Sequence, residues 1–113
     1  MPSPPSRRLA ERRQKLADQL AQLGPVLRAT LIQRFTQCGK GGCKCMRGEK
    51  HGPASYLAVS YAKGKTRQVY VPKDLRPVAA TWVHNYHQAM TMLEEMSSIN
   101  LELIRRKEPE INR

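Results

Sequence analysis

The spacing of hydrophobic residues changes along the chain, and each rhythm predicts a different element. Leu9, Leu16 and Leu23 recur at heptad spacing with Leu20 and Leu27 between them, as one face of a helix does, so a helix is expected over residues 7–23 with Ser6 as its N-cap. Arg13 alone breaks that seam. Gly24-Pro25 then ends the helix, because proline disfavours helical backbone in the residue before it and has no N–H to donate. Residues 28–37 are rich in β-branched and aromatic types and read as a first strand.

Two alternating runs, residues 55–61 and 66–71, flank Lys63-Gly64-Lys65 and predict a β-hairpin. Alternation sends Leu57, Val59, Val69 and Val71 to one face and leaves Tyr56 and Tyr70 for the other. Pro72 closes the ladder. Asp74 as N-cap and Pro77 in the first turn then open a helix over residues 75–106, about 48 Å long at the usual rise per residue. Leu75, Val78, Trp82, Ala89, Met92, Met96, Ile99 and Leu103 hold a heptad register broken only by Asn85. Such a helix outruns a small domain, so it is expected to pair with the first helix or with a second copy as a homodimer.

The expected fold class is therefore α+β: an N-terminal helix, a small three-stranded antiparallel sheet with a zinc loop, and a long C-terminal helix. At 113 residues one domain is expected. It covers residues 7–106, with helix at 7–23, zinc loop and sheet at 28–73 and helix at 75–106, between a disordered leader (1–6) and a flexible tail (107–113). Aromatic residues make up 5% of the chain, so the core is small and needs outside help to hold together.

Charge adds the first functional constraint. Twenty Lys and Arg against nine Asp and Glu give +11, a balance that calls for a polyanionic partner. Residues 28–73 contain ten of the basic residues and one acid, Glu49, whereas residues 74–104 lean acidic. Lys40, Lys44, Arg47, Lys50, Lys63, Lys65 and Arg67 are the expected phosphate contacts, and Tyr56 and Tyr70 the expected stacking residues. No apolar run is long enough to span a bilayer, and the first residues lack the apolar stretch of a signal peptide, so no membrane and a cytoplasmic location are expected.

The chemistry is concentrated in Cys38, Cys43, Cys45 and His51. Three thiols and an imidazole in a polar, glycine-rich segment match a Cys3His zinc set, because zinc takes soft or borderline ligands in a tetrahedron and glycines allow the turns that gather them. Core packing does not explain thiols in such a loop. Lys40, Lys44 and Arg47 favour the thiolate forms. His84 and His87, at i and i+3 on the long helix, are alternatives to His51 as fourth ligand. Four protein ligands leave no open position, so the site is expected to be structural. No nucleophile triad, phosphate loop or buried carboxylate pair is present, and no enzymatic role is expected.

Arg34, Cys38-Gly39-Lys40, Cys43-x-Cys45, His51-Gly52-Pro53, Tyr56-Leu57, Gly64-Lys65-Thr66-Arg67 and Tyr70-Val71-Pro72-Lys73-Asp74-Leu75 carry a resemblance. This pattern resembles a family of small bacterial zinc-loop proteins often associated with mobile elements and recombinases. The resemblance implies a shared zinc-loop, hairpin and long-helix module with an accessory role in DNA transactions, and it transfers no catalytic residue. The expected function is a zinc-binding, nucleic-acid-binding accessory protein, DNA being favoured over RNA. The alternative is a coiled-coil module that binds a recombinase or transposase without itself reading DNA.

Overall fold

The computed structural model describes residues 4–36 and 51–110. In chain order they form α1 (Ser6–Ala21), β1 (Thr30–Thr36), β2 (His51–Ala62), β3 (Lys65–Val71), a 3-10 turn (Lys73–Leu75) and α2 (Arg76–Arg105). This is the expected α+β arrangement, with one antiparallel sheet in the order β1-β2-β3. No described helix is long and apolar enough to cross a membrane. Two compact units make up the chain: a helical unit, Met1–Val26 with Asn85–Arg113, and a sheet-bearing unit, Leu27–His84.

In the helical unit α1 packs on the C-terminal part of α2. Leu16, Ile99 and Leu103 form the buried cluster, with Leu9, Met92 and Met96 against it, so the two heptad rows meet within one chain. Both polar interruptions are satisfied across the seam. Arg13 donates to Asn100 Oδ1 at 2.8 Å. Asn85 Nδ2 donates to the Pro25 carbonyl at 2.9 Å, just after Gly24 turns the chain at φ +83°, a conformation glycine adopts without steric cost. Arg12 clasps Glu95 through two hydrogen bonds of 2.6 and 3.0 Å.

Both expected helix caps are corrected. α1 starts from Pro5 with no side-chain cap, and the Leu9 N–H bonds to the Pro5 carbonyl. Ser6 Oγ is instead an acceptor for Arg106 Nη1 at 3.0 Å, which also reaches the Pro4 carbonyl. Asp74 lies inside the 3-10 turn that precedes α2, and that turn also starts from a proline, Pro72, without a side-chain cap. A proline held at φ near −60° sets the backbone for a helical turn, and its missing N–H is no loss there. α2 ends on Lys107 at φ +62°, with Glu108 N–H on the Leu103 carbonyl and Lys107 N–H on the Ile104 carbonyl, the two bonds of a Schellman turn.

The sheet-bearing unit has a different interior. Among the described residues its buried positions are Ala29, Ser55, Val71, Ala79 and Val83, and no large side chain is fully buried there. The heptad register expected for α2 therefore fails at its start: Leu75, Val78 and Trp82 are exposed, and Ala79 and Val83 are buried in their place. Asn85 marks the change of register, because α2 passes there from one unit to the other.

Candidate metal loop and nucleic-acid interface

The segment 37–50 joins β1 to β2, so the ladder fixes where its ends leave the sheet. Thr36 pairs with His51. The one predicted zinc ligand within the described residues, His51, is therefore paired through its backbone with the last described residue of β1. Cys38, Cys43, Cys45, Lys40, Lys44, Arg47 and Lys50 lie outside the described residues. Among the described residues no group of three or more His, Cys, Asp or Glu gathers. His84 and His87, the alternative ligands, are exposed on α2, and the His87 ring meets Tyr86 edge to face.

The register slips by one residue between Arg34 and Thr36, opposite Gly52-Pro53. Proline cannot donate to a ladder, so a bulge is the expected response there. Arg76, the first residue of α2, donates to the Pro53 carbonyl at 3.1 Å and fixes the strand where the connecting segment re-enters the sheet. Sequence reasoning missed this contact, since nothing local to Arg76 or Pro53 signals a bond across the fold.

The β2–β3 hairpin supplies the remaining predicted residues. Gly64 sits in its turn at φ +73°, and residues 60–70 are all exposed. Lys63 is at the tip, with Lys65 and Arg67 following on β3. Tyr56 and Tyr70 are direct cross-strand partners, their ring centroids 5.7 Å apart in an edge-to-face arrangement. Ile32 of β1 extends this row across the sheet. Arg34, absent from the predicted set, holds its guanidinium 5.9 Å from the Tyr56 ring centroid.

Pairing also separates rings from charges. Tyr56 and Tyr70 share one face, whereas Arg67 pairs with Val59 on the opposite parity, with Leu57 and Val69. A second one-residue slip between Ser60 and Ala62 obscures that parity in the sequence. Arg67 lies 5.7 Å from the Tyr61 ring centroid, so a second arginine–tyrosine stack sits near the tip. Arg28 donates to the Ser60 carbonyl at 2.6 Å beside the slip. Among the described residues, Lys63, Lys65 and Arg67 form no ion pair, and Asp74 is the one acid of this unit.

Comparison with known proteins finds one family: residues 6–80 match the model of a domain of unknown function (DUF6788). The match takes in α1, the whole sheet and the first residues of α2, and with them both the cysteine segment and the hairpin. No curated protein and no solved structure matches.

Proposed function

The chain belongs to the DUF6788 family, and from that premise we propose that it is a zinc-stabilised accessory protein that binds nucleic acid, DNA in preference to RNA, and has no catalytic role of its own. The observation that carries this reading is the pairing of a thin, small-residue core with an exposed hairpin whose cations have no carboxylate partners among the described residues. A unit built on Ala, Val and Ser gains little from burial, and Cys38, Cys43, Cys45 and His51 are the residues that would hold a zinc ion at the mouth of the β1–β2 connection. The metal would supply cross-linking there and no chemistry. Unpaired lysine and arginine on an exposed hairpin suit phosphate, whose counterions they displace. A setting in mobile-element or recombinase transactions, and a cytoplasmic location, rest on the motif resemblance and on the sequence.

Two measurements test the reading. Metal analysis of gently purified protein should give about one zinc per chain, lost in Cys38→Ser or Cys43→Ser together with protease resistance of the sheet-bearing unit. Less than about a tenth of an equivalent would overturn the zinc assignment. In salt titrations of DNA binding, replacing Lys63, Lys65 and Arg67 together with Ala should flatten the log–log slope by roughly two to three units, as three lost phosphate contacts require. An unchanged slope removes the hairpin from the interface.

A second reading, docking to a recombinase or transposase, draws on a separate observation. The α2 row that faces α1 is filled within the chain, yet Met90, Leu93, Leu101 and Ile104 form another row at helical spacing that remains 39–71% exposed.

A further inference from the structure

We propose that the outward face of the sheet is a platform for single-stranded DNA, on which Tyr70 stacks a base while the hairpin tip holds phosphates. The proposal rests on the nucleic-acid reading above and adds the strandedness of the ligand and the residue that selects it.

The observation is the division of labour between the two sides of the hairpin. On the tyrosine face, Arg34 is the one cation among the described strand positions, and it is already stacked on Tyr56. Tyr56 is accordingly half-buried, while Tyr70 remains 56% exposed and is the open ring of the pair. The cations Lys63, Lys65 and Arg67 lie at the tip and on the other parity. A duplex keeps its bases stacked inside and offers phosphate alone, so it can use the tip but gains nothing from the rings. A single strand offers unpaired bases as well as phosphate, so a run that crosses the tyrosine face and continues past the hairpin tip can use both. Charge supports the same occupant: the sheet-bearing unit contains eleven Lys and Arg against two acids, which complements a polyanion, and the open Tyr70 ring adds a π-face that unpaired bases can use.

Stacking and charge leave different signatures, so binding by the full-length protein separates them. The probes are fluorescein-labelled oligo(dT), oligo(U) and a DNA duplex, each of about 20 nucleotides or base pairs, longer than one stacking platform needs. Oligo(dT) should bind at least about tenfold more tightly than duplex, and Tyr70→Ala should lose about tenfold on oligo(dT), the usual size of one base–aromatic stack, with no change on duplex. Its salt slope should match the parent's, because stacking releases no counterions. Tyr70→Phe keeps the ring and should keep the affinity. Tyr70 is exposed, and unaltered circular dichroism of Tyr70→Ala checks that the sheet survives. Equal affinity for duplex, an oligo(dT) affinity indifferent to Tyr70→Ala, or tighter binding of oligo(U) would overturn the proposal. Duplex binding that depends on the tip cations while Tyr70→Ala is silent overturns the platform and leaves the proposed function standing. Absence of binding to every probe at low salt removes both.

Discussion

The helical unit buries Leu16, Ile99 and Leu103 to 6% exposure or less, whereas in the sheet-bearing unit the buried residues among those described are Ala29, Ser55, Val71, Ala79 and Val83. Their charges differ as sharply. The helical unit contains nine Lys and Arg against seven acids, and four of its arginines are in ion pairs: Arg12 with Glu95, Arg105 and Arg106 with Glu102, Arg7 with Glu11. The sheet-bearing unit contains eleven against two, and the described hairpin cations have no ion pairs. One unit uses its chemistry internally, with apolar burial and neutralised charge. The other leaves rings and cations facing solvent over a core that, among the described residues, is built of small side chains, and this contrast is what the proposed binding surface and zinc brace rest on.

The largest effect expected in the helical unit comes from its fully buried leucine. Leu103→Ala should cost about 2–5 kcal/mol by lost transfer free energy and the cavity left behind. Leu101→Ala, on a side chain 71% exposed, should stay within about 0.5 kcal/mol. Chemical denaturation of the two variants measures both. A Leu101→Ala cost approaching that of Leu103→Ala would show the outward row to be in use, and would favour the protein-docking reading. Asn85→Ala should fall between them at about 1 kcal/mol, because it strands the Pro25 carbonyl without its donor. If Asn85→Ala is silent, water replaces the amide and the turn at Gly24 needs no tether.

Heptad leucines and methionines announced the helical seam because helix periodicity is local and repeated: Leu9, Leu16, Met92, Met96, Ile99 and Leu103 all fall where spacing placed them. The two residues that spoil the pattern were illegible as partners, since Arg13 and Asn85 are satisfied by groups 87 and 60 positions away. The exposure of Leu75, Val78 and Trp82 was hidden for another reason: their spacing continues the register, and only the change of unit near Asn85 ends it. In the hairpin, alternation was enough to pair Tyr56 with Tyr70. Arg34 over Tyr56 required the β1–β2 register, which depends on the bulge opposite Gly52-Pro53 and on a connection whose length the sequence leaves free. Lys107 in a left-handed conformation had no signal at all, since glycine is the residue that advertises such a turn.

The smallest expected effect is electrostatic, and it tests whether the paired charges of the helical unit contribute to its stability. Arg105 and then Arg106 donate to Glu102, and these bonds hold its carboxyl down at about 2, against an ordinary value of 4.5. Arg12 lowers Glu95 in the same direction. A carboxylate with a depressed folded-state pKa stabilises the fold fully above its unfolded value, and the contribution drains away as pH falls through the folded one. The window for Glu102 therefore runs from about 4.5 down to about 2. Both side chains remain partly solvent-exposed, so screening keeps the effect small and added salt should shrink it further. Amide exchange in α1 and the part of α2 packed on it, compared between the parent and Glu102→Gln, isolates it from proton-dependent changes in the sheet-bearing unit, including loss of the proposed metal. The parent should be the better protected near neutral pH, with the gap closing across that window and narrowing in high salt. A gap that persists below about 2 would mean that Glu102→Gln acts through packing of Arg106 against Pro4 and Ser6, and not through the ion pair.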